Sequence, residues 1–220
     1  MLSLFIIFSF YIYGNYVINK NKKFLENFNE TTNIKIISPN FDLEYGLSTV
    51  EIENRFKKLI RYSNPNKDKN TLFIWPEGVF SGYSYDQILI FKDLVLKHFS
   101  NKHYIIFGTN KTDPVSGNFY NSMLMVDNNL KIIQRYNKRK LVPFGEFLPF
   151  ENLLNIFGLK KITEGHGSFL RGQENKIIEI DNLSIIPLIC YEIIFSELIK
   201  KSLKKSNLIV NISEDGWFGN

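Results

Sequence analysis

Leu183-Ser-Ile-Ile-Pro-Leu-Ile-Cys190-Tyr-Glu192 is an apolar run that stops at the chain's single cysteine. Seven residues dominated by Ile and Leu suit a strand buried on both faces, as in a sheet layered with helices. A helix is expected to follow over about 194–204, so Cys190 stands where strand gives way to helix. Working outward from there, the same pattern recurs. Buried-type strands are expected at 34–37 (IKII), 71–75 (TLFIW), 103–108 (HYIIFG) and 207–212 (NLIVNI). Ser48-Thr-Val-Glu51 and Ser84-Tyr-Asp-Gln87 have capping-box spacing and open helices to about Tyr62 and Phe99. Asp127-Asn-Asn and Asp181-Asn182 each join two strand patterns, 119–126 with 130–136 and 176–180 with 183–189, as hairpins. A short helix is expected near 151–157. Strands alternating with helices, plus two hairpins, predict a mixed α/β sheet covered by helices.

The 220 residues are 44% hydrophobic, 22% charged and 15% aromatic, with a formal net charge of +5. This suits one globular domain with an appendage and excludes collagen, coiled coil, a disulfide scaffold and a largely disordered chain. A single cysteine allows no internal disulfide. The modest positive charge favours anionic surfaces in general and does not indicate nucleic acid. His98, His103 and His166 lack ligand spacing, so neither a metal nor another cofactor is expected.

From Leu2 to Ile18 the chain carries no charge. Such a helix reaches roughly 25 Å, close to a hydrocarbon core of about 30 Å. No basic residue precedes it and no small-x-small site follows, so a transmembrane helix over 1–19 is favoured above a signal peptide. A linker is expected over 20–33 and a catalytic domain over 34–220. Lys20, Lys22 and Lys23 follow the helix, and the positive-inside rule alone places the domain in the cytoplasm.

Three residues lie at strand ends with chemistry to offer. Cys190 is either an inert buried thiol or a nucleophile above the sheet edge, its pKa lowered by the helix that follows. Glu77, ending TLFIW-Pro, is either a solvated loop acid or a general base raised by burial. Lys138, in Tyr136-Asn-Lys138, belongs to a solvated basic face or turns inward as a fixed charge for an oxyanion.

Together, Trp75-Pro-Glu77, Tyr136-Asn-Lys138 and Ile189-Cys190-Tyr-Glu192 resemble the nitrilase superfamily, whose triad is Glu, Lys and Cys in that order. LVPFGEFLP (141–149), ISPNF (37–41) and the terminal DGWFG narrow the resemblance to apolipoprotein N-acyltransferases. The resemblance implies an αββα sandwich and a catalytic triad of Glu77, Lys138 and Cys190. It implies Glu146 as a second essential carboxylate, with Tyr191 and Glu192 shaping the substrate site. It also implies a phospholipid acyl donor, a diacylglyceryl apolipoprotein acceptor, and a place in the bacterial inner membrane with the domain on the periplasmic side, against the charge rule. Members carry further membrane helices, so the chain is expected to be an internal piece with its C-terminal end missing. Tyr45 stands in a segment where the family usually has tryptophan. Phe144, Phe147, Leu148 and Phe150 either admit acyl chains or tuck onto the core. Lys200, Lys201, Lys204 and Lys205 form a solvated helix face or a contact for anionic headgroups. The rival readings are an amidase with the same triad and an inactive membrane-anchored fragment.

Overall fold

The computed structural model describes residues 2–26, 32–42, 44, 46–149, 168–173 and 176–214. The expected helix near 151–157, Tyr45, Phe150 and the DGWFG string lie outside these residues. Two compact units are present, Met1–Thr31 and Thr32–Asn220.

The first unit contains helix α1 (Leu2–Glu26). Its apolar side chains, Leu4, Phe5, Phe8, Phe10 and Ile18 among them, are exposed. The expected transmembrane span is not seen as such, because no helix among the described residues is long and apolar enough to cross a membrane. Asn15, Asn19, Lys20 and Lys22 dilute its apolar character without ending the helix, since neither Lys nor Asn breaks one. The linker expected to start at residue 20 is therefore helical as far as Glu26.

The second unit is built on two sheets. The larger joins β1 (Asn33–Ile36), β2 (Thr71–Ile74), β3 (His103–Thr112), β4 (Phe119–Val126) and β5 (Ile132–Asn137) in sequence order. Its β1–β2–β3 pairs are parallel and its β3–β4–β5 pairs antiparallel. The smaller joins β6 (Ile178–Ile180), β7 (Leu183–Ile189) and β8 (Leu208–Ile212), with β6 antiparallel and β8 parallel to β7. Strand alternation sorts the side chains into layers. Phe73, Ile105, Phe107, Leu124 and Val126 pack with Ile52, Phe56 and Leu59 of α2 (Thr49–Ser63) and with Ile88 of α3 (Tyr85–Ile88) and Val95 of α4 (Lys92–His98). Their alternate neighbours Leu72, Ile74, Ile106, Met123 and Met125 face Ile178, Ile185, Ile189, Val210 and Ile212 of the second sheet. Ile186 and Leu188, on the far face of β7, pack against Leu198 of α5 (Ser196–Lys200). The order is helix, sheet, sheet, helix.

Local signals explain most element ends. Ser48 and Glu51 cap α2 reciprocally, with Ser48 N–H donating to Glu51 Oε2 at 2.7 Å. Ser84 N–H donates in the same way to Gln87 Oε1 at 2.8 Å. The helix expected there is broken into α3, a 3₁₀ turn at Leu89–Phe91 and α4. The helix expected over 194–204 is likewise divided, into 3₁₀ turns at Cys190–Ile194 and Leu203–Lys205 around the short α5.

Candidate active site

β2 and β5 point the same way in the larger sheet, and β4 runs opposite between β3 and β5. Residues just past the ends of β2 and β5, and those at the start of β4, therefore share one end of the sandwich. Glu77, Lys138 and Asn121 occupy those three places.

Lys138 is 1% exposed, which an ammonium tolerates only when paired. Its Nζ donates to Glu146 Oε1 at 2.9 Å and lies 3.8 Å from Glu77 Oε1. Asn121 Nδ2 bridges the two acids, donating to Glu77 Oε1 and to Glu146 Oε1 at 2.8 Å each. Burial alone pulls the Lys138 pKa down, but Glu77 and Glu146 outweigh it and the ammonium is held above its ordinary value. Burial pushes the Glu77 carboxyl up, and the opposing pull of Lys138 and Asn121 does not cancel it.

Cys190 follows β7 with φ of 55°, a left-handed backbone that a residue with a Cβ rarely adopts. The thiol is half-buried and packs against the layer between the sheets. Its pKa is raised, not lowered as the strand-to-helix junction led us to expect. Burial and the Glu77 charge outweigh Lys138, the Ser213 hydroxyl and the Tyr191 N–H. The turn that follows is a 3₁₀ segment of five residues, which brings little helix dipole to bear.

Glu192 is wholly buried, and its oxygens accept from Tyr136 Oη, from the Arg139 and Lys140 N–H groups, and from Ile189 N–H. Those oxygens serve the chain's own donors and tie the Lys138 loop to the Cys190 turn, beside the substrate site that Glu192 is expected to shape. Tyr191 is only partly buried. Its hydroxyl donates to Leu141 C=O at 2.7 Å, and its ring lies 5.5 Å from Lys138 Nζ. Burial raises its pKa.

Glu146 also shapes its own loop, since its Oε2 accepts from Val142 N–H at 2.9 Å. Of the apolar residues there, Leu148 is buried in the core, Phe147 is half-buried, and Phe144 is exposed with φ of 61°. Residues 169–172 cross this end of the sandwich. Phe169 N–H donates to Glu146 C=O, Leu170 N–H to Phe119 C=O, and Gly172 N–H to Lys138 C=O, each at 2.8 Å. On the other flank, the Glu214 N–H reaches the Glu77 carboxylate. Gly108 of β3 lies beneath Glu77, where an added Cβ would sit 2.8 Å from the Glu77 Cα.

Glu77, Lys138, Glu146, Cys190 and Tyr191 are thus brought together, with Glu192 behind them. Asn121 was not singled out from the sequence. Its signal lies in strand register: two residues into β4, opposite Asn110 of β3, it turns toward the end where Glu77 emerges. Such a set can take a proton from a half-buried thiol and hold a developing oxyanion beside a fixed ammonium.

Residues 45–220 match the carbon–nitrogen hydrolase family. Among curated proteins, the apolipoprotein N-acyltransferase of Rhizobium rhizogenes is 28% identical over 200 residues, covering 84% of this chain and 37% of that protein. That of Wigglesworthia glossinidia brevipalpis is 32% identical over 206 residues, covering 86% and 39%. A shorter match, 41% identical over 102 residues, is to the enzyme of Rhizobium leguminosarum bv. trifolii. The chain therefore spans well under half the length of these relatives. Among solved structures, a nitrilase-superfamily member from Saccharomyces cerevisiae superposes with a TM-score of 0.53 at 18% identity, covering 78% of this chain and 61% of that one. An amidase from Nesterenkonia sp. AN1 in complex with butyramide gives 0.54 at 12% identity, covering 83% and 65%. These two speak for the fold alone, and it is the sandwich described above. With that fold, and with a match running over most of its length, the chain belongs to the carbon–nitrogen hydrolase family.

Proposed function

We propose that the chain carries the acyl-transfer centre of an apolipoprotein N-acyltransferase. The observation that carries this reading is the buried Lys138 ammonium, clasped by Glu146 and facing Glu77, at the end of the sandwich that holds the only thiol. The similarity to curated N-acyltransferases supports the choice of reaction within the family.

In this reading Glu77 takes the Cys190 proton as the sulfur attacks an ester carbonyl of a phospholipid. A raised thiol pKa keeps the sulfur protonated until a base takes its proton, and a raised Glu77 pKa makes the acid a better base for that. Lys138 Nζ and the Tyr191 N–H hold the tetrahedral oxyanion. The intermediate collapses, Glu77 returns the proton to the departing lysophospholipid oxygen, and a thioester remains on Cys190. The α-amine of a diacylglyceryl-cysteine then attacks the thioester and Glu77 takes its proton. The C–S bond then breaks, the amide departs, and Glu77 returns the proton to the Cys190 sulfur. The exposed apolar side chains of α1 support association with a membrane, which we assign to the bacterial inner membrane with the domain on its periplasmic side.

Intact mass of the membrane-expressed chain tests the reading. A fatty-acyl increment is expected, removable by neutral hydroxylamine and absent in Cys190→Ala. Glu77→Gln is expected to slow its appearance by about 100-fold or more. A folded protein that gains no increment from phospholipid yet hydrolyses small amides would favour an amidase and overturn the proposal.

A further inference from the structure

The segment 169–172 is held unusually firmly for a loop. Three main-chain hydrogen bonds fasten it to the backbone of Glu146, Phe119 and Lys138. Gly172 sits so close to the Asn137 carbonyl that no Cβ fits between them. Between the fixed Leu170 and Gly172 stands Arg171, whose side chain is exposed. It forms no ion pair with a described residue, whereas Arg55 pairs with Glu44, Lys111 with Asp86 and Lys140 with Glu197.

The charge of the site gives that guanidinium a purpose. Glu77 and Glu146 set two carboxylates against one ammonium, so the interior repels an anionic ligand when both acids are ionised. A donor that brings a phosphodiester to this end of the sandwich needs a cation outside the Lys138 cluster. Arg171 lies close enough to Tyr191 for its charge to act on the phenol, and Tyr191 is the residue beside the thiol. Its planar fork matches two phosphate oxygens, and its backbone is already fixed, so little order remains to be imposed on binding.

We infer that Arg171 is the contact for a phosphate oxyanion beside Tyr191 at this end of the sandwich, and that this oxyanion is the headgroup phosphodiester of the acyl donor. The inference rests on the acyl-transfer reading for the identity of the donor. It assigns Arg171 to substrate binding, with no part in bond making.

The test is a titration of the full chain carrying Cys190→Ala, which leaves the ligand unconsumed. Three probes are compared: dihexanoyl phosphatidylglycerol, dihexanoylglycerol and inorganic phosphate. The phosphate-bearing ester is expected to bind roughly 10- to 100-fold more tightly than the glycerol ester. Arg171→Ala is expected to abolish that preference without changing binding of the glycerol ester, and Arg171→Lys to restore part of it. A preference that survives in Arg171→Ala, or none before substitution, overturns the inference. Inorganic phosphate binding as tightly as the lipid, with the same dependence on Arg171, overturns the headgroup assignment. The parallel mass measurement on the Cys190 protein separates the two proposals. An Arg171-dependent preference without thioester formation sinks the acyl-transfer reading and leaves the phosphate subsite standing.

Discussion

Asn121 donates one amide hydrogen to Glu77 and the other to Glu146, so a single neutral side chain keeps two like charges at a fixed separation. Its bond to Glu77 favours the ionised acid, as does Lys138. Removing that bond raises the Glu77 pKa further, so less of this carboxylate, the base of the proposed mechanism, is ionised at a given pH. Asn121→Ala is therefore expected to move the acid limb of the kcat/KM profile to higher pH, with kcat reduced about 10- to 100-fold. An unshifted limb would mean that Asn121 does not touch the base. Glu192 shows a different use of a buried carboxylate, since every donor around it belongs to the protein. Glu192→Gln turns one acceptor into an NH₂ group facing N–H donors, and about 2–3 kcal/mol of stability should be lost in urea unfolding. The sequence made Cys190, Glu77 and Lys138 legible only as a set, through their local strings and order. Asn121 was illegible because one Asn among many gains its meaning from strands that are distant in sequence. The hydrogen bonds of Glu192 were illegible because its donors at Tyr136, Arg139 and Lys140 lie more than 50 positions away.

β3 supplies more than a place in the sheet, because the absence of a side chain at Gly108 lets the Glu77 backbone settle against it. Gly108→Ala would place a methyl 2.8 Å from the Glu77 Cα and 3.1 Å from Ile212 Cδ1. The expected result is a loss of at least about 10-fold in kcat with far-UV circular dichroism unchanged, since a misplacement near 1 Å is enough. Unaltered kcat would show that the Glu77 turn yields freely. Strands such as TLFIW and LSIIPLI were legible as elements because they are covered on both faces and read as continuous apolar runs. Helix starts at Ser48 and Ser84 were legible from reciprocal caps. Helix continuity was not. No Gly or Pro marks the breaks after Ile88 and around Ser196, so the local pattern does not record them.

At the scale of the whole molecule, α1 and the sandwich form separate compact units. The sandwich holds three buried layers of large apolar side chains, whereas α1 leaves Leu4, Phe5, Phe8 and Phe10 open. Residues 32–220 alone are expected to keep the circular dichroism and Cys190 chemistry of the full chain toward a soluble p-nitrophenyl ester, while partitioning into vesicles far less. Equal partitioning would place the membrane contact on the sandwich itself. The sequence conveyed the layered α/β class, but the reach of α1 depends on where a helix without a breaker stops. The solitary thiol also gives the protein a built-in gauge of its own condition. In the folded chain it is half-buried with its pKa raised, whereas an unravelled chain presents an ordinary, open thiol. On the proposed mechanism, a general alkylating reagent is therefore expected at neutral pH to tag damaged molecules first, and an acyl-like electrophile that fits the site to tag intact ones. The ratio of the two labels measures how much of a preparation is competent before any substrate is known.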